Sequence, residues 1–240
     1  MEINSNDYFE LDGISCVTVG LWCDTPPVQV LSELRGKNYQ VGAEEDLYLS
    51  DDTYADIQFR ITAFSFFSDD FDTSAVYAFL RGKSKLKLSR NNGYYYKIRT
   101  ISCNPSQSYD GKRIQYQITI KCAPFRYIDD EEVITLSSSG IVQNAGTLYC
   151  KPVYTLHLSA NSGIGTLTVN GQTVTVNLES SIGSNTFVVD SEKMLAYDGN
   201  NAIRTQNTAG YFPFMSVGTN SVSFGGIVSS VDIKRNERCY

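Results

Sequence analysis

The chain has little histidine and little charge, and each scarcity removes a class of function. His157 is the one imidazole in 240 residues. Nucleophilic catalysis by a Ser or Cys paired with a histidine base, and histidine-rich metal sites, therefore have almost nothing to build on. His157 lies in the run Val153-Tyr-Thr-Leu-His-Leu and is expected on a strand face. Gly-x-Ser-x-Gly, the Gly-Lys-Ser/Thr phosphate loop and the dinucleotide glycine turn are absent. No catalytic residue, cofactor or metal site is assigned. Charged residues make up 19% of the chain and the net charge is −6. No broad basic face exists to neutralise phosphates, so nucleic-acid sequence recognition is not expected.

No stretch of about 18 uncharged apolar residues is present, so membrane insertion is not expected. The start, Met-Glu-Ile-Asn-Ser-Asn-Asp, lacks the basic and apolar regions of a signal peptide, and the chain is expected to be made and kept in a cytoplasm. The six cysteines, Cys16, Cys23, Cys103, Cys122, Cys150 and Cys239, form no Cys-x-x-Cys pair and read as buried reduced thiols. Cys103 and Cys122 can face each other across neighbouring strands.

What is abundant is β-forming material. Hydrophobic residues are 42% of the chain, with 16 Tyr, 12 Phe and 18 Gly, a balance that favours strands and turns and suits two modest cores. Two β-domains are expected. Asp12-Gly13 predicts a tight hairpin. Thr25-Pro26-Pro27 interrupts pairing, and Val28–Val41 is expected to fold as an extended hairpin about Arg35–Asn38, an arm able to project. Ile57, Phe59, Ile61 and Ala63 alternate with Gln58, Arg60 and Thr62 as a strand with one buried face.

Asp69–Gly82 predicts the one helix, with acidic residues at its start and Gly82 as its stop. Asp69, Asp70 and Asp72 lack the ligand alternation of a calcium loop and are read as capping. Lys85–Ser89, Tyr94–Ile101 and Ile114–Lys121 continue the sheet, with turns at Arg90–Gly93 and Asp110-Gly111. Charge and small polar residues over 129–143 predict a linker. Beyond it no helical periodicity appears. Thr166–Val176 is a hairpin about Asn170-Gly171, and Val153–Leu158, Phe187–Asp190, Ser221–Phe224 and Val228–Ile233 supply further strands of a sandwich.

Paired carboxylates suffice for a glycoside hydrolase. The acidic residues here cluster at Glu44–Asp46, Asp51-Asp52 and Asp129–Glu132, and are read as solvated turns and linker. Trp22 is expected in a core or an interface. The Gly210–Gly226 stretch joins an aromatic-Pro-aromatic corner, Phe212-Pro213-Phe214, to a turn and a strand, and is expected to be a packed β-domain close.

As a spaced set, these residues resemble the distal tail proteins of bacteriophages with long, non-contractile tails. In the second half the likeness rests on Asn144-x-Gly146 before Lys151-Pro152, on Leu167-x-Val-Asn-Gly171, and on Val188-Val-Asp190 with Tyr197-Asp198. It rests above all on Gly210-x-Phe212-Pro213 with Gly218-x-Asn220 and Gly226. In the first half it rests on Pro27 before Arg35-Gly-Lys-Asn, on Tyr54-x-Asp56, on the single helix and on Cys122-x-Pro124-Phe-x-Tyr127.

The resemblance implies a mainly β chain in two parts. The first, 1–128, is a β-sandwich-like domain with one helix and a projecting hairpin that forms a ring, usually a hexamer. The second, 144–240, is a galectin-like β-sandwich; the sequence leaves its last residues, Arg235–Tyr240, either within it or back on the first domain. It also implies a tail-tip protein of the virion, assembled in the host cytoplasm. Its partners would be further copies of itself, the tail tube protein, the tape-measure protein and tail-associated hub or receptor-binding proteins. The subunit interface is assigned to the arm, at Val28, Val30, Leu34, Arg35, Tyr39 and Val41. The other reading carried forward is a carbohydrate-binding module that aids host attachment.

Overall fold

The computed structural model describes residues 7–24, 27–41, 45–66, 73–107, 113–129, 131–179 and 183–240. Internal contacts divide the chain into two units, 1–129 together with Tyr240, and 130–239.

The first unit opens with β1 (Phe9–Leu11) and β2 (Ile14–Ser15), joined by a two-residue turn at Asp12 (φ 51°) and Gly13 (φ 81°). Both turn residues take the positive φ that the right-handed twist of a tight hairpin requires. A 3₁₀ turn at Cys16–Val19 leads to β3 (Trp22–Cys23). β4 (Leu34–Val41), β5 (Glu45–Tyr54), β6 (Ile57–Phe66), α1 (Thr73–Leu80), β7 (Lys85–Leu88), β8 (Tyr94–Gln107) and β9 (Arg113–Ile128) follow. The main sheet runs β2-β1-β7-β8-β9-β6-β3, with antiparallel pairing.

Alternation decides which face is buried. Ile57, Phe59, Ile61, Tyr116, Ile118 and Ile120 point inward from β6 and β9, and Val76, Phe79 and Leu80 of α1 close over that face. Phe79 meets Phe9 with ring centroids 5.9 Å apart. Each such fully buried side chain is worth about 1.5–3 kcal/mol over its exposed state. β9 runs further than the sequence suggests, through Cys122–Tyr127. Its register jumps between Ile98↔Cys122 and Tyr96↔Arg126, and Pro124, which has no N–H to give a ladder, sits inside the resulting bulge. Among the described residues the first unit, expected as a sandwich-like domain with one helix and a projecting hairpin, has one hydrogen-bonded sheet, the helix α1 packed on it and a separate two-stranded ribbon, β4–β5. The helix starts at Thr73; its expected acidic cap at Asp69–Asp72 and the Asp110-Gly111 turn lie outside the described residues.

The second unit is a sandwich. One sheet runs β10 (Ile134–Leu136), β19 (Val228–Lys234), β12 (Val153–Leu158), β15 (Thr186–Asp190), β16 (Leu195–Asp198). The other runs β11 (Gly140–Asn144), β18 (Gly218–Gly226), β13 (Gly163–Val169), β14 (Gln172–Leu178), β17 (Thr208–Gly210). Tyr154, Leu156 and Phe187 from the first meet Leu167, Val174 and Val222 from the second in one core. The segment expected as a linker, 129–143, instead carries β10 and β11. Its Thr135 and Val142 find ladder partners in Asp232 and Asn220, and backbone pairing outweighs the polar composition. Asn170 (φ 49°) and Gly171 (φ 81°) form the expected turn between β13 and β14.

The corner at Gly210–Gly226 is packed only in part. Pro213 and Met215 are buried and Phe212 packs on the core, whereas Phe214 and Tyr211 are exposed. Met215 and Cys150 exchange both backbone hydrogen bonds, at 2.8 and 3.0 Å, which holds the corner and turns Phe214 outward. Gly226 (φ 69°) closes β18, where a Cβ would run into the Ile164 carbonyl.

Candidate assembly surface

The groups capable of chemistry are tied into structural roles. His157 Nε2 lies 2.7 Å from Asp232, whose other carboxylate oxygen accepts from Thr135 Oγ1 at 2.6 Å. Those hydrogen bonds, from Thr135 and then His157, hold the Asp232 carboxyl below its ordinary value. Among the described residues no hydroxyl or thiol is hydrogen-bonded to the ring, and no three or more His, Cys, Asp or Glu gather as a metal site. The acidic clusters differ from expectation. Asp46, Asp51 and Asp52 lie within β5, Asp129 pairs with Lys87, and Glu131 is buried against Arg235 at 3.3 Å. Burial pushes the Glu131 carboxyl up despite that partner.

All six cysteines are free thiols, with Cys23 and Cys103 half-buried and the rest buried. Cys103 does not face Cys122. It stands opposite Ile118 while Cys122 stands opposite Ile98, because the length of the turn between the strands, invisible in composition, sets the register. The thiols that meet are Cys16 and Cys23, joined by a hydrogen bond.

The ribbon is a surface that carries several exposed apolar side chains together. Tyr39 opposes Leu47, Lys37 opposes Leu49, and Asn38 opposes Tyr48. Residues directly opposite share a face, so Tyr39, Leu47, Lys37 and Leu49 line one side. Tyr39 and Leu47 are each 48% exposed and Leu49 is 52% exposed. On the other side Tyr48 lies across Gly36, where a Cβ would come within 2.5 Å of the ring, and its hydroxyl donates to the Leu34 carbonyl at 2.6 Å. Gly36 is therefore a strand glycine covered by an aromatic ring. The hairpin expected about Arg35–Asn38 is corrected: those residues are in β4, and the connection to β5 falls at 42–44, outside the described residues.

Of the six assigned interface residues, Val28, Val30, Leu34, Arg35 and Tyr39 are exposed. Arg35 sits where the register shifts between Leu34 and Gly36, and Val41 ends β4. Val28 and Val30 precede the ribbon in a non-strand segment. Sequence reasoning missed Leu47, Tyr48 and Leu49. The signal was present: an apolar-aromatic-apolar run enclosed by acidic residues reads as a strand once the acids are not taken as loops.

The fold is that of a phage hub protein. The SPP1 Dit protein, described as a hub adsorption apparatus in phages infecting Gram-positive bacteria, superposes with a TM-score of 0.68 over 95% of this chain and 98% of its own, at 12% identity. A chain of the phage p2 baseplate in its activated conformation with strontium gives 0.52 over 95% and 97%, at 7% identity. The calcium form of that baseplate gives 0.51 with the same coverage and identity. No sequence-family model and no curated protein matches the chain. The likeness to distal tail proteins read from spaced motifs is thus matched at the level of fold.

Proposed function

We propose that the chain is a structural hub of a phage tail tip. In this reading the first unit forms a ring, a hexamer by the resemblance, that connects tail tube and tape-measure protein to tail-associated or receptor-binding proteins. The second unit is a galectin-like sandwich, and the assembly takes place in the host cytoplasm before incorporation at the virion tail tip. The fold likeness over nearly the whole chain supports it. The observation that carries it is the β4–β5 ribbon, which leaves Tyr39, Leu47 and Leu49 exposed together. A contiguous apolar face of that kind marks a protein interface, and a closed ring is a head-to-tail solution for such an arm.

Light scattering and negative-stain electron microscopy of the purified chain test the reading. Rings of uniform diameter are expected. A protein that stays monomeric at high concentration overturns it.

The second reading, a carbohydrate-binding module, has one observation in its favour. Tyr149 and Phe214 are exposed aromatics 5.6 Å apart on the second unit, with Arg238 stacked 4.4 Å over Tyr149. Aromatic faces of that kind can stack on sugar rings. Binding on a glycan array that is lost in Tyr149→Ala supports it, and a blank array removes it.

A further inference from the structure

The net charge of −6 hides a local excess of the opposite sign. From Thr73 to Gln107 the chain has seven Lys or Arg and no Asp or Glu. Lys87 pairs with Asp129, Arg90 pairs with Asp7, and Lys85 and Lys97 lie over the rings of Tyr95 and Tyr127 at 4.6 and 4.0 Å. The remaining Arg81, Lys83 and Arg99 gather at one place, a groove between the end of α1 and β8.

Two adjoining clefts of about 230 and 220 Å³ make up this groove and share Leu80, Arg81 and Ile101. Tyr77 lines the first, and Lys83, Ile98 and Arg99 line the second. Leu80 is buried and Ile98 and Ile101 are half-buried, whereas Arg81 and Arg99 are exposed. The lining is therefore apolar below and cationic at the rim. Among the described residues the guanidinium groups of Arg81 and Arg99 have no hydrogen-bond or ion-pair partner, and no carboxylate lines either cleft. Lys83 stands 6.0 Å from the Phe79 ring centroid, at the limit of a cation–π contact.

The chain path holds the groove in shape. Gly82, at φ 70°, follows the last residue of α1. The Ser84 carbonyl then accepts the Ile98 N–H at 2.8 Å, which ties the turn to β8. The Asp12 carboxylate accepts from Ser84 Oγ and from the Lys85 N–H, each at 2.8 Å. Asp12 also lies near Lys83, but its oxygens are taken by those bonds. Opposite the turn, β8 shifts register between Ile98 and Thr100. An irregularity of this kind re-aims a side chain, and Arg99 is the residue within it.

Size and chemistry together select an occupant. Each cleft is smaller than the roughly 300–1,000 Å³ of a small-molecule site, so it suits a side chain better than a cofactor. A bare phosphate would make no use of Leu80, Ile98 and Ile101. We infer that the α1–β8 groove docks an extended acidic segment of a partner protein. Its apolar side chains seat on Leu80, Ile98 and Ile101, and its carboxylates meet Arg81, Lys83 and Arg99. Successive side chains of an extended segment point to opposite sides, so apolar and acidic residues in alternation serve the lining and the rim in turn. Docking here uses neither the ribbon nor the ring, and it goes beyond the hub reading.

Fluorescence anisotropy with the full chain at low salt tests it, using a short fluorescein-labelled peptide of alternating aspartate and leucine. Saturable binding is expected, and added salt should weaken it because exposed charges are screened. A lysine-leucine analogue should not bind, and an aspartate-alanine analogue should bind about tenfold more weakly. Arg81→Glu and Arg99→Glu should each weaken binding about tenfold. Arg60→Glu makes the same change of charge at an exposed position of β6, and should leave affinity within about twofold. Melting temperatures like that of the parent establish that the three variants are folded.

An equal loss in Arg60→Glu would mean that the peptide feels only the general field, and the groove is then not the site. Absence of saturable binding to the parent chain also overturns the inference. So does oligothymidylate binding through the same arginines in place of the peptide, which would make the groove a single-stranded nucleic-acid site. Light scattering reads ring formation separately, so a failure here leaves the hub reading standing.

Discussion

The side-chain amide of Asn170 donates to the side-chain oxygen of Asn220 at 2.7 Å and so ties the tip of the β13–β14 hairpin to the start of β18. Asn220 is fully buried. Its amide donates to the carbonyls of Ser216 and Gly218, and its oxygen also accepts the Ser216 N–H. Asn170 in turn accepts the Ser221 N–H at 2.9 Å. Two asparagines that read in the sequence as separate turn signals form one junction, with Asn220 buried and Asn170 at the surface.

Asn220→Ala takes the side-chain partner from the Gly218 carbonyl and the Ser216 N–H, while the Ser216 carbonyl keeps the Asn144 amide. With unsatisfied groups costing about 1–3 kcal/mol each, the expected loss is about 2 kcal/mol. Chemical denaturation of the full chain measures it. Asn170→Ala, at an exposed position where water can replace the lost bond, should cost less.

Gly36→Val puts a branched side chain where the Tyr48 ring lies. The ring must leave and its hydrogen bond to Leu34 with it. Hydrogen exchange across 34–41 and 45–54 should quicken while β6 and β9 keep their protection. Unchanged exchange in the ribbon would show that Tyr48 does not hold it.

The acid limb of stability should depend on Asp198 and Asp232. The Ala202 N–H first, then Arg204 and the Asn200 N–H, hold the Asp198 carboxyl below its ordinary 3.8, and Thr135 with His157 does the same for Asp232. A depressed carboxyl stabilises the folded chain fully above 3.8, and that contribution is lost as pH falls through the lower folded value. Asp198→Asn should therefore flatten the fall in melting temperature below about pH 4. Glu131 has the opposite sign. Burial raises its carboxyl above 4.5, so its contribution is greatest below that value and declines as pH rises through the folded one. Glu131→Gln should flatten that decline.

Thiol labelling separates the cysteines. Burial pushes Cys122 and Cys150 each up to about 12, and the thiolate is the reactive form. Native protein at neutral pH should leave both unlabelled by a disulfide reagent, with all six thiols reacting once the chain is unfolded. Rapid native labelling at Cys150 would contradict the packing around Met215.

What the sequence determined by itself was local. Asp12-Gly13 and Asn170-Gly171 fix their turns because few residues tolerate positive φ, and the alternation at Ile57–Ala63 fixes which face of β6 is buried. Resemblance among spaced motifs went further and pointed to the fold. Tertiary structure decided what depends on partners distant in the chain. Polar 134–144 became strands because β18 and β19 offered open ladders. The acidic run in β5 became the outer strand of a ribbon because Leu47, Tyr48 and Leu49 pair across to β4. Cys16 met Cys23 because a 3₁₀ turn folds between them. Trp22 stands opposite Phe64 and Phe66 opposite Arg113, a grouping drawn from three strands far apart in sequence that no periodicity within any one of them reveals. Pairing register, set by turn lengths and by which backbone groups remain unpaired, is a property of the assembled sheet.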